Sequence, residues 1–191
     1  MNRAQYATDW SRDGRYLLYQ QDDPTTRFDL WILSLASGDR TSTSFVRTPF
    51  DETQGQFSPD GRYIAYTSNE SKRPEVYIQT FPASARRWQV SSGGGLQPRW
   101  RRDGKELFYV GPNGILMATP IVSSSGGLEP GVPKTLFEHA VLAVDRPASS
   151  SPAYSYDVTA DGERFLLAVA SNGSEVQAIT VVVNWASGLR K

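Results

Sequence analysis

The stretch Phe57-Ser58-Pro59-Asp60-Gly61-Arg62-Tyr63-Ile64-Ala65-Tyr66 decides the fold, because the chain says nearly the same thing three more times. Trp10-Ser11-Arg12-Asp13-Gly14-Arg15-Tyr16-Leu17-Leu18-Tyr19 and Trp100-Arg101-Arg102-Asp103-Gly104-Lys105-Glu106-Leu107-Phe108-Tyr109 are full copies. Val158-Thr159-Ala160-Asp161-Gly162-Glu163-Arg164-Phe165-Leu166-Leu167 is a weaker fourth. From Asp13 to Asp60, Asp103 and Asp161 the steps are 47, 43 and 58 residues. The first two match one propeller blade of roughly 40–50 residues. The third is stretched by a loop-like run, Arg146-Pro147-Ala148-Ser149-Ser150-Ser151-Pro152.

Asp-Gly between two alternating apolar runs is a hairpin cue, and a type I′ turn, with both central residues at positive φ, is its expected geometry. Around each cue four short strands follow from period-2 patterning. In the second repeat the outer strands are Glu75–Phe81 and Arg87–Ser91; in the first, Asp29–Leu35 and Thr41–Val46; in the third, Gly114–Val122 and Lys134–Glu138. The fourth repeat supplies three strands and lacks a fourth. The expected fold is therefore all-β: four antiparallel four-stranded β-propeller blades at about 5–48, 52–92, 95–139 and 153–189, the last incomplete, in one domain that is part of a larger ring. No capped segment longer than ten residues has a 3.6-residue apolar period, so helix should be nearly absent.

Composition narrows the function. Lys+Arg and Asp+Glu both number 20, and without a basic surplus the phosphate grip of a nucleic-acid binder is not expected. There is no cysteine, which excludes disulfides and thiolate metal sites. No apolar run spans a membrane and no signal region opens the chain, so a soluble chain without an export signal is the expectation.

The repeats resemble the TolB-type (WD-repeat-like) propeller repeat, found also in the propellers of prolyl oligopeptidase relatives. A nearer resemblance is to the C-terminal propeller of bacterial receptor-like serine/threonine kinases. Phrases similar to Gln56–Gly61, Pro74-Glu75-Val76-Tyr77-Ile78-Gln79-Thr80-Phe81-Pro82, Trp100–Tyr109 and Thr180-Val181-Val182-Val183-Asn184-Trp185 occur there in this order. This resemblance covers about residues 5 to 189 and implies a sensor or scaffold tethered behind a kinase and a membrane span, with an extracytoplasmic or periplasmic setting. It also implies more than four blades. The kinase motifs themselves (a Gly-rich nucleotide loop, His-Arg-Asp, Asp-Phe-Gly) are not in this sequence, nor is a hydrolase half, so neither activity carries over.

Chemistry is sparse. The single histidine, His139, sits at a blade end and reads as structural or solvated. No Gly-X-Ser-X-Gly elbow occurs. Gly93-Gly94-Gly95 lies between strands, so the helix N-terminus of a phosphate loop is missing. Asp22-Asp23 reads as a solvated loop tip, not a calcium loop. Asp13, Asp60, Asp103 and Asp161 are assigned to bonding the turn backbone and tolerating its left-handed conformation. Trp10, Phe57 and Trp100, at one equivalent position per blade, are assigned to the inter-blade core. No catalytic residue, metal or cofactor is expected. Asp9, Gln54, Gln56, Gln97 and Arg99, just before the Asp-Gly turns, face the central channel and are the candidate ligand-binding positions. Fold-level analogy alone supports that assignment. The leading reading is a non-catalytic binding or sensor module for a protein or a small polar ligand. The competing reading is a propeller lyase or hydrolase, or the propeller of a prolyl-oligopeptidase-like enzyme. The end blades should leave apolar faces and strand edges open, a route to self-association.

Overall fold

A computed structural model describes residues 3–36, 40–84, 86–124, 127–140, 154–168 and 179–183, with 124, 138–140 and 179–183 as backbone only. The architecture is all-β, and among the described residues the one helical turn is a 3₁₀ segment at Pro112–Gly114. Blade 1 comprises β1 (Gln5–Trp10), β2 (Tyr16–Asp23), β3 (Arg27–Ser34) and β4 (Ser42–Val46), antiparallel and in sequence order. Blade 2 repeats this with β5 (Glu52–Phe57), β6 (Tyr63–Ser68), β7 (Glu75–Thr80) and β8 (Arg87–Gln89).

Blade 3 departs from four strands. Its β9 (Leu96–Trp100), β10 (Glu106–Val110) and β11 (Ile115–Ser124) continue the pattern, but β11 runs on past its blade. The overhang pairs with an extra strand, β12 (Gly127–Pro130), before β13 (Lys134–Ala140) returns to the main part of β11. Blade 4 contributes β14 (Tyr156–Val158), β15 (Arg164–Ala168) and β16 (Ile179–Val183). The Ser/Pro-rich run 146–152 and the Ser37–Asp39 turn lie outside the described residues.

The period-2 pattern explains why the blades stack. In β6, Ile64 and Tyr66 pack toward blade 1 with Leu18, Leu30 and Ile32, while Tyr63 and Ala65 pack toward blade 3 with Trp100, Leu107 and Tyr109. In β10, Leu107 and Tyr109 face back to blade 2, and Phe108 and Val110 face Tyr156, Phe165 and Leu167 of blade 4. A strand buried on both faces reads as a continuous apolar run, which is what Tyr63–Tyr66 and Leu107–Val110 are. The end blades have one such partner each. Phe57 and Trp100 are buried in inter-blade contacts, as assigned, but Trp10 is 58% exposed, with no blade among the described residues packed on its side. On the other end Leu166 is 43% exposed. The four blades thus form a partial propeller.

The Asp-Gly reversals are not type I′ turns. Only the glycine takes positive φ: Gly14 at 73°, Gly61 at 69°, Gly104 at 74° and Gly162 at 74°. Each loop has four residues. Ser11 N–H donates to the Tyr16 carbonyl and Gly14 N–H to the Ser11 carbonyl, closing a tight turn that only glycine can exit without strain. Blades 2, 3 and 4 repeat the two bonds through Ser58/Gly61, Arg101/Gly104 and Thr159/Gly162. The aspartate brackets the turn from its side chain. Asp13 Oδ1 accepts from Ser11 Oγ at 2.7 Å and from Arg15 N–H at 3.0 Å. Asp60 does the same with Ser58 and Arg62, and its second oxygen takes Arg62 Nε at 2.6 Å. The Ser11 and Arg15 bonds lower the Asp13 carboxyl to about 2. The left-handed conformation therefore belongs to the glycine, and the aspartate's part is the hydrogen bonding.

Candidate functional site at the channel mouth

The inner strands β1, β5 and β9 lie against one another along the channel and carry all five candidate residues. A register shift interrupts each strand: between Ala7 and Asp9 in β1, Thr53 and Gln56 in β5, and opposite Phe108/Val110 in β9. At the last two, Gln54 and Gln97 sit at φ of 55° and 57°, uncommon for residues with a side chain and typical of a β-bulge. A bulge takes a backbone N–H out of the ladder, and here the preceding blade's amide side chain accepts it. Gln20 Oε1 takes Gln54 N–H at 3.1 Å, Gln54 Oε1 takes Gln97 N–H at 2.9 Å, and Gln97 Oε1 takes Ser155 N–H at 2.7 Å.

A second chain of bonds runs one level nearer the turns. Asp9 Oδ2 accepts Phe57 N–H at 2.8 Å and Gln56 Oε1 accepts Trp100 N–H at 2.9 Å. Arg99 closes the series by donating Nε to the Tyr156 carbonyl at 3.1 Å and pairing with Asp157 at 3.3 Å. Its guanidinium lies 4.2 Å from the centroid of Tyr154. The Tyr154 and Tyr156 hydroxyls donate to the carbonyls of Gln54 and Gln97, both at 2.9 Å. Burial pushes both phenols above their ordinary range, and it raises the Asp9 carboxyl despite its backbone bonds and Arg99.

The structure puts the hydrogen bonds of all five candidates between blades. Gln54 and Gln97 are buried and their acceptor oxygens are engaged. Asp9 and Gln56 reach a cavity of about 390 Å³ at the turn end of the channel. Turn residues of all four blades surround it: Arg12, Ser58–Pro59, Arg102 and Thr159–Ala160. Sequence reasoning missed these. The signal was there, since Arg12, Pro59, Arg102 and Ala160 are the residue before Asp-Gly in every copy, and a radial array must bring one repeat position to one ring. Arg12 reaches across the mouth, donating from Nη2 to the Arg102 carbonyl at 3.5 Å.

Three other expectations can be placed. Asp23 is not a solvated tip: it is buried, accepts Thr25 N–H at 2.9 Å, pairs with Arg3 at 2.7 Å and Arg47 at 3.3 Å, and is lowered to about 2 by the Thr25 bonds first. The glycine run does cradle an anion, but an internal one. Gly93 and Gly94 N–H groups both donate to Glu75 Oε1 at 2.9 Å, and Ser91 Oγ donates to the other oxygen. The side chain of His139 lies outside the described residues. Among the described residues no group of three or more His, Cys, Asp or Glu side chains could hold a metal, and no helix is long and apolar enough to cross a membrane.

No family model matches the chain. Over 69 residues it is 37% identical to the Tol-Pal system protein TolB of Hahella chejuensis, a match to 36% of this chain and 16% of that protein. The crystal structure of TolB from Acinetobacter baumannii superposes with a TM-score of 0.66 at 18% identity, covering 95% of this chain and 41% of that one. The fold is a TolB-like β-propeller. The chain spans less than half the length of either TolB. TolB-like is a statement of architecture, since the periplasmic gluconolactonase of Pseudomonas aeruginosa also superposes, with a TM-score of 0.50 at 17% identity over 85% of this chain and 49% of that one.

Proposed function

We propose that this chain is a recognition module, binding a protein or a small polar ligand at the turn-side mouth of its channel without transforming it. The observation that carries the reading is the cavity at the mouth, because turn residues of four successive blades meet there. Pockets that draw on several elements and hold a few converging polar groups are the default ligand sites of a fold. The inter-blade bonds of Gln54, Gln56, Gln97, Asp9 and Arg99 hold the floor rigid, so the site is set up before anything binds. The likeness to TolB, a Tol-Pal system protein, favours a protein partner. The resemblance of the repeat phrases to receptor-like kinase propellers favours a module attached to a signalling chain.

Steric blocking tests the site. Pro59→Trp should fill the mouth, whereas Val132→Trp, at an exposed position outside the cavity lining, should not. Ligands found by thermal shift across sugar, organic-acid and peptide panels should lose binding to the first variant and keep it with the second. Binding untouched by Pro59→Trp would remove the mouth from consideration. The competing enzyme reading, for which the gluconolactonase likeness speaks, requires turnover of a bound ligand; turnover abolished in His139→Ala would establish it.

A further inference from the structure

We infer that the mouth takes an anionic oxygen group, a carboxylate in the first instance, held between Arg12 and Arg102. The inference rests on the proposed recognition site and adds the chemistry of what occupies it.

The chain carries no net charge, so a local surplus must come from how its ions are distributed. At the end of the channel away from the turns, basic and acidic groups are matched: Arg3 and Arg47 with Asp23, Arg27 with Asp51, and Arg73 with Glu75. Around the turns the aspartates are also engaged. Asp13 is taken by Arg15 and Asp60 by Arg62, at 2.7 and 2.6 Å. Arg12 and Arg102 are not matched in this way. Both are exposed, both line the cavity, and among the described residues neither has a carboxylate within ion-pair distance. The bond from Arg12 to the Arg102 carbonyl brings the two residues of like charge together across the mouth.

The acid inside the cavity does not cancel them. Asp9 already accepts the Phe57 N–H through Oδ2, and its carboxyl lies below the rim in the inner strand. Planar guanidinium forks suit carboxylate and phosphate oxygens, and two forks on one rim suit them better than a single ammonium would. Exposure limits the affinity and makes it salt-dependent.

The test uses the whole chain. The probes are a capped Asp/Glu hexapeptide, its Asn/Gln counterpart and citrate, titrated at 20 and 150 mM NaCl. The acidic peptide, citrate or both should bind, and the neutral peptide should bind at least tenfold more weakly. Arg12→Gln with Arg102→Gln together should weaken the acidic probe about tenfold at low salt and flatten its salt dependence, with the melting temperature unchanged. Binding of the peptide without citrate identifies an acidic protein segment as the source of the group; binding of citrate identifies a free organic acid. An acidic probe indifferent to the double variant overturns the inference, and so does the absence of binding by either acidic probe at millimolar concentration. If instead the neutral peptide binds equally well and is blocked by Pro59→Trp, the recognition site stands and its anion preference falls.

Discussion

Replacing Glu52 by glutamine should stabilise the protein above neutral pH and do little below pH 5. Glu52 opens β5, is 1% exposed, and among the described residues has no cation in ion-pair contact. Burial raises its carboxyl from the ordinary 4.5 to about 7, and nearby Asp29 adds to this; the bonds from Thr48 and Ser68 oppose it. Thr48 Oγ1 donates at 2.5 Å and Ser68 Oγ at 3.4 Å. A carboxyl that holds its proton more tightly when folded favours folding while protonated. Its contribution is complete below about pH 4.5, is lost as pH rises through 7, and stays lost above. At about 1.4 kcal/mol per pH unit, the interval from 4.5 to about 7 amounts to on the order of 3 kcal/mol as an upper bound. Glutamine keeps an oxygen for Thr48 and has no proton to lose. Urea denaturation of both proteins at pH 5 and pH 8 measures the effect. The variant should gain over wild type by 1–3 kcal/mol between the two conditions, an interval in which the turn and loop aspartates Asp13 and Asp23, both at about 2, do not titrate. Parallel pH profiles for the two proteins would refute the assignment of a buried, proton-holding Glu52.

Trp100→Ser should cost roughly 3–5 kcal/mol and Trp10→Ser under about 0.5 kcal/mol, because the first is buried between blades and the second is exposed; equal losses in chemical denaturation would contradict the packing order. Gln97→Ala strips the Ser155 amide of its acceptor, at a cost of about 1–3 kcal/mol, and hydrogen exchange should show faster exchange at Ser155 while blade 2 stays protected. Gly61→Ala has free space for its methyl group, so the expected loss of about 1–2 kcal/mol is purely conformational, and Asn at that position should recover part of it. Gly55→Ala differs in kind: its Cβ would meet Leu18 Cδ2 at 2.7 Å within the core, and a loss of about 1–3 kcal/mol by thermal melting follows from overpacking.

Much of the architecture was legible in the repeats. A tight loop bracketed by Asp and left through glycine is a local structure, made by residues within six positions of one another, and so the Asp-Gly pair is written in every copy. The double burial of blades 2 and 3 was equally plain in Tyr63–Tyr66 and Leu107–Val110, where apolar residues occupy both phases of the pleat. Local reading went astray where two conformations answer the same residues. Asp-Gly suits a type I′ turn and also the four-residue loop that is present, and the serine hydroxyl bonded to Asp13 and to the Tyr16 amide favours the second.

The candidate site divides the same way. That Asp9, Gln54, Gln56, Gln97 and Arg99 sit on the first strand of their blades followed from their place before the turns. That the amide and carboxylate oxygens of the first four accept N–H groups from the next blade did not, because such bonds join residues 43 to 58 positions apart. The sequence by itself determined the blades, their order and the residues on each face, since these depend on periodicity and short-range hydrogen bonds. Tertiary structure alone decided that Trp10 is exposed while Trp100 is buried, that Glu75 fills the glycine cradle, and that Arg12 meets Arg102 over a shared cavity. Those outcomes depend on how sheets are placed about an axis, a relation between distant residues that no local pattern encodes.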